Sequence, residues 1–188
     1  MGCGGNANAR QVEIPKNLTI FGNILDSQTR SLMLICNKAN QTFILNKIDT
    51  LKGDNKQTRY LSINPTGHIP MLEEGMFKVL GGNHVIFIYL AKSKSNIAQL
   101  LMPAEMEQKV KAIIGWHQAK MATPAQQIFR ILYDPSAFPT KPTQASLDKW
   151  KQEMMMCLKA LDEKVVSQTY MCGSKMTMGD IIVYNELS

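Results

Sequence analysis

The residues best placed to do chemistry lie in Asn64-Pro65-Thr66-Gly67-His68-Ile69-Pro70-Met71-Leu72. Two prolines and a glycine precede a short apolar run there. An Ile-Pro bond at the entry to a strand is a candidate cis peptide, because only proline makes that form accessible at low cost. A turn of this kind leaves the N–H and C=O of Ile69 facing outward, where the backbone of an extended peptide ligand can pair with them. Asp26-Ser27 supplies helix N-cap chemistry ahead of Leu32, Ile35, Cys36 and Ala39 at helical spacing. Near the other end, Thr177-Met178-Gly179-Asp180 has the spacing of a capping box. Its carboxylate also suits the positive end of a helix. The run Ile181-Ile182-Val183-Tyr184 that follows is apolar all round and predicts a helix at the centre of its surroundings.

The four cysteines, Cys3, Cys36, Cys157 and Cys172, form no C-x-x-C pair and match no zinc spacing. No metal is expected. Cys36 and Cys157 sit in apolar helical contexts and read as packed core thiols. The glycine-rich polar start is unlike a secretory signal, so reduced thiols in a cytoplasmic protein are the expectation. Met1-Gly2-Cys3-Gly4-Gly5-Asn6 has two readings of equal weight. One is acylation at Gly2 and Cys3, giving a membrane or cytoskeletal tether; stable anchoring would need both chains. The other is a plain Gly/Asn/Ala tail.

The elements that must position these residues follow from pattern. Leu18-Thr19-Ile20-Phe21 reads as a strand ended by Gly22-Asn23, and Phe43–Ile48 as a second. Gly53-Asp54-Asn55 marks a loop with a weak helix after it. A hairpin is expected from Met71-Leu72, a turn at Glu73-Glu74-Gly75-Met76, and Phe77–Leu80. Gly81-Gly82-Asn83 opens a helix carrying Val85 to Ala91. The order β-α-β-α-β-β-α is the thioredoxin topology. Beyond residue 92 no strand is expected. One helix is predicted over 104–121 and another over 144–168, with an irregular connection through Pro135, Pro139 and Pro142. The division expected is a tail over 1–16, a thioredoxin-like domain over 17–93 and a helical domain over 94–188.

The 188 residues suffice for a sizeable core, and 45% apolar with 19% charged content is ordinary for a globular chain. The net charge of +6 comes from Lys and Arg spread along the sequence. That reads as a solvated basic surface and not a nucleic-acid footprint.

Together these residues resemble the glutathione transferase family, most closely its theta class. The stretches that carry the resemblance are Ser27-Gln28-Thr29-Arg30; Asp49-Thr50-Leu51-Lys52-Gly53 followed by Asn64-Pro65 and Ile69-Pro70; Trp116-His117-Gln118; and Thr177-Met178-Gly179-Asp180. The resemblance implies an α/β thioredoxin-like N-terminal domain followed by an all-α C-terminal domain, the latter ending short of the family's usual length. It implies glutathione as co-substrate and a hydrophobic electrophile as second substrate. In the family, a hydroxyl at the start of the first helix donates to the glutathione sulfur and favours the thiolate. By resemblance Ser27 is the catalytic candidate. Ile69 would pair with the cysteinyl backbone, Pro70 would be the cis residue, and Asn55, His68, Gly82 and Asn83 would line the glutathione site.

The chain departs from the family pattern at several of these positions. Counting back from Arg30, the serine position falls on Asp26, with Ser27 one step later, and a carboxylate beside the sulfur would oppose a thiolate. Gly82 and Asn83 stand where the family has Glu-Ser. His68 and Asn55 replace a theta-type lysine and histidine. The leading expectation is conjugation of glutathione to electrophiles. The alternative is a catalytically degraded homologue serving as a structural or interaction subunit. A cysteine-based oxidoreductase has less support, because no cysteine opens the first helix. The family also implies a homodimer, or a partner covering the C-terminal helix.

Overall fold

The computed structural model describes residues 17–80, 83–134, 138 and 140–188, with the side chain of residue 83 excluded. The tail with Gly2 and Cys3, and Gly82 of the expected glutathione site, lie outside the described residues. Four strands form one sheet in the order β2-β1-β3-β4: β1 (Leu18–Gly22), β2 (Ile44–Lys47), β3 (Met71–Glu74) and β4 (Phe77–Val79). β1 pairs parallel with β2 and antiparallel with β3, and β3 pairs antiparallel with β4.

Strand periodicity sorts the β1 side chains onto two faces. Leu18 and Ile20 join Leu72 in the main core, against Leu32 and Ile35 of α1 (Ser27–Lys38) and Ile86, Phe87 and Leu90 of α3 (Asn83–Ser93). Phe21 points the other way, with Met71, Ile48 and Tyr60 of the short α2 (Thr58–Leu61). Burying each large apolar side chain contributes about 1.5–3 kcal/mol, so both faces hold the sheet in register.

The hairpin is tighter than expected from sequence. Glu73 pairs with Lys78 and Glu74 with Phe77, which leaves only Gly75-Met76 to turn the chain. Gly75 takes a φ of 62°, a conformation that glycine adopts without a Cβ penalty.

The second half is helical: α4 (Ser95–Leu101), α5 (Glu107–Trp116), α6 (Ala122–Tyr133), α7 (Gln144–Val166) and α8 (Met178–Leu187). The sequence pattern did not separate α4 from its surroundings. The helix expected over 104–121 does not end there either. It loosens into a π turn over His117–Met121, where the Ala122 N–H reaches His117 O, and continues as α6. Pro124 explains part of this, because it has no N–H for the carbonyl four residues back. That carbonyl, Lys120 O, instead accepts the Cys157 thiol of α7 at 3.5 Å.

α8 lies at the centre, as its apolar run requires. Met178, Ile181 and Ile182 belong to the same core as Leu18 and Leu32, so sheet and helices share one interior. The Asp180 carboxylate takes the Thr177 N–H at 2.7 Å and the Thr177 hydroxyl at 2.8 Å, and fixes the start of the helix. Gly179 allows the close approach to α5: a Cβ there would lie 2.9 Å from Ile113 Cγ2.

Candidate functional site

The ends of β1, α1 and β3 meet where Phe21 pairs with Met71. On one side is the turn Asn23–Asp26. Asn23 takes the Leu25 N–H on its side chain (3.1 Å) and the Asp26 N–H on its carbonyl (2.9 Å). The closed turn delivers Asp26 to the N-cap of α1. Its carboxylate accepts both the N–H and the hydroxyl of Thr29, each at 2.7 Å.

Although part of Asp26 reaches solvent, its carboxyl end is enclosed, and burial pushes its pKa up to about 6. The two Thr29 hydrogen bonds pull the other way. The neighbouring Glu186 charge adds to the rise and the Arg30 charge opposes it.

Ser27, one residue into the helix, turns toward α8. Its hydroxyl donates to Glu186 Oε2 at 3.1 Å. The same oxygen lies 2.8 Å from Nε2 of His117, and the two side chains are only 7% and 2% exposed. Arg30 completes the junction by donating to Asn185 O at 2.7 Å and to the carbonyls of Ile24 and Leu25. The first turn of α1, the π turn and the last turn of α8 are therefore joined by one polar cluster.

On the other side is the turn before β3. The Ile69–Pro70 peptide is cis. Pro70 is buried and Ile69 half-buried. Among the described residues, no donor or acceptor takes the N–H or C=O of Ile69. The residues before it are held firmly. The His68 carbonyl accepts from Tyr60 Oη at 2.7 Å and from Asn64 Nδ2 at 2.8 Å. Asn64 Oδ1 takes the N–H and hydroxyl of Thr66, and Asn55 Nδ2 donates to Gly67 O at 2.9 Å. The His68 side chain is exposed, and Asn83 opens α3.

Among the described residues no cluster of His, Cys, Asp or Glu is arranged to hold a metal ion, and no helix is long and apolar enough to cross a membrane. Cys36 is fully buried in α1, and burial pushes its thiol up to about 12. It is chemically quiet near neutral pH.

No family model matches the chain. Human glutathione S-transferase theta-2 is 22% identical over 174 residues, which span 90% of this chain and 70% of that protein. Glutathione S-transferase F10 of Arabidopsis thaliana is 30% identical over 84 residues, 45% of this chain and 39% of that one. The crystal structure of human glutathione transferase theta-2, in complex with glutathione and an unknown ligand, superposes with a TM-score of 0.81. That superposition is at 20% identity and covers 91% of this chain and 71% of that one. The chain has the fold of a theta-class glutathione transferase. The thioredoxin-like sheet with α1–α3 and the all-helical remainder are the two halves of that architecture.

Within the theta-type fold, the expected site residues fall into two groups. His68, Ile69 and Pro70 lie in the turn before β3, and Asn55, from the separate 3-10 turn Asp54–Lys56, donates its side-chain amide to Gly67 O of that turn. Ser27, in the first turn of α1, is engaged with Glu186. Sequence reasoning missed Glu186 and Tyr60. A lone histidine on an apolar helix face needs a buried partner, so His117 was the available signal for Glu186. Nothing local distinguished Tyr60.

Proposed function

We propose that this chain is a glutathione-binding member of the transferase type in which the peptide-binding turn is kept and activation of the thiol is weakened. The observation that carries this reading is the Ser27 hydroxyl donating to Glu186 at 3.1 Å, while no group among the described residues takes the N–H or C=O of Ile69, which a peptide ligand could pair with. A hydroxyl that spends its proton on a carboxylate has none to give a thiolate. Asp26, at the N-cap, adds negative charge to the helix end that would otherwise favour the anion.

In this reading glutathione lies along the residue 17–93 portion. Ile69 pairs with its cysteinyl backbone, and Asn55, His68, Pro70, Gly82 and Asn83 surround it. A hydrophobic electrophile would rest against residues 94–188. A second reading is full glutathione conjugation with Ser27 as the thiol donor; the shared fold and the absence of a partner for the Ile69 backbone groups among the described residues favour it. The exposed Tyr184 and Leu187 of α8 support a covering partner or a second copy of the chain as part of an assembly. A cytoplasmic location, and a tether through Gly2 and Cys3, rest on sequence pattern.

The test combines titration calorimetry with glutathione and a conjugation assay using a generic aromatic halide. Millimolar binding with turnover near background, unchanged in Ser27→Ala, is expected. Rapid turnover that Ser27→Ala abolishes would replace this reading with the second one.

A further inference from the structure

The turn that presents Ile69 is held by side chains which the glutathione reading does not itself use. Tyr60 and Asn64 converge on a single acceptor, the His68 carbonyl, at 2.7 and 2.8 Å. They also touch each other, with Asn64 Nδ2 donating to Tyr60 Oη at 3.1 Å. Both residues are buried: Tyr60 is 3% exposed and Asn64 1%. Tyr60 is anchored from beneath by Phe21 of β1, ring to ring at 6.4 Å, and by Met71, the β3 residue that pairs with Phe21. The carbonyl they fix belongs to the peptide unit whose N–H is that of Ile69. Locking the plane of that peptide aims the Ile69 N–H.

We propose that Tyr60 and Asn64 are positioning residues for glutathione: by clamping the His68 carbonyl they aim the Ile69 N–H at the cysteinyl carbonyl of the bound tripeptide. This rests on the glutathione reading above. Two donors on one carbonyl are more than burial alone requires, since one partner satisfies a buried C=O. The clamp ties the turn directly to the central strand, so a rigid sheet residue sets the direction of a loop N–H. Tyr60 acts through the backbone and touches no substrate.

The experiment uses the full chain and glutathione itself. Tyr60→Phe removes one hydroxyl and keeps the ring against Phe21. Cys157→Ala, which removes the thiol contact to Lys120 O and touches neither Tyr60, Asn64 nor the Ile69 turn, is the control for lost stability. Calorimetric affinity and the glutathione-induced shift of the Ile69 amide in 15N–1H spectra are read for all three proteins. Tyr60→Phe removes the hydroxyl's bond to His68 O and its acceptance from Asn64, and the loss of one of the two donors on His68 O should weaken binding about three- to tenfold. It should also shrink the Ile69 shift, while Cys157→Ala changes neither. A purely structural role would move the melting temperature and leave the Ile69 shift intact. Wild-type affinity and an undiminished Ile69 shift in Tyr60→Phe would overturn the positioning role alone. Absence of glutathione binding by the wild-type chain at millimolar concentration would overturn both the role and the reading beneath it.

Discussion

Ser27 donates its hydroxyl to Glu186 Oε2 at 3.1 Å, across 159 positions of sequence. The contact joins the first turn of α1 to the last turn of α8, and His117 joins it from the π turn at 2.8 Å. Enclosed polar groups of this kind cost most when one partner is removed and the others are left unsatisfied. The cluster therefore acts first as a strut between the two halves of the fold.

Glu186→Ala leaves both the Ser27 hydroxyl and the His117 N–H without an acceptor. The expected loss is about 2–3 kcal/mol, against about 1 kcal/mol for Ser27→Ala. Because the two residues share a bond, the double variant should be more stable than the sum of the single losses implies, by about 0.5 kcal/mol or more. Urea unfolding of the four proteins measures this, and strict additivity would remove the strut.

Asp26 makes stability depend on pH. Its carboxyl has a folded pKa of about 6 against an ordinary 3.8, so the native state holds the proton more tightly than the unfolded chain. Its contribution is full below about pH 4 and is lost as pH rises through about 6. Asn caps helices as well as Asp does and carries no charge to enclose. Asp26→Asn should therefore be more stable than wild type by about 1 kcal/mol at neutral pH, a net figure after the weaker bonds to Thr29, with the gain vanishing in acid. A gain of equal size at pH 4 and pH 7.5 in chemical denaturation would refute the assignment.

Gly22→Ala tests the packing that sets Asp26 in place. A Cβ at residue 22 would fall 2.3 Å from Thr29 Oγ1 and 2.7 Å from Thr29 Cγ2. Thr29 is fully buried and holds the Asp26 carboxylate through both its N–H and its hydroxyl. It can escape only by giving up one of those bonds. The expected loss is about 1–3 kcal/mol, read from the urea midpoint; a neutral result would mean that this corner is loosely packed.

The parts legible in the sequence were those governed by local rules. The Ile69–Pro70 turn, the α8 cap and the strand pattern of Leu18–Phe21 follow from proline chemistry, capping and side-chain alternation, each acting within a few residues. The break at His117–Met121 was hidden because Pro124 acts on a carbonyl one turn earlier, and Cys157 of a different helix takes up that carbonyl. The direction of Ser27 was hidden for a similar reason. The sequence frame left Asp26 and Ser27 as rivals for one position. In the structure Asp26 caps α1 through Thr29, while Ser27 faces Glu186 of α8, a partner 159 positions away that no local pattern could supply. Tyr60 gave no signal, because its partner is a backbone carbonyl and backbone acceptors carry no sequence mark.

The state of the bound thiol decides between weakened and full activation by Ser27. Ultraviolet titration of thiolate absorbance in the glutathione complex reads its pKa directly. With Ser27 engaged by Glu186 and Asp26 ionised at the helix start, the bound thiol should stay near the ordinary cysteine value of about 8.5 in both wild type and Ser27→Ala. A wild-type value depressed below about 7, returning to the ordinary range in Ser27→Ala, would show Ser27 activating the thiol and contradict the account.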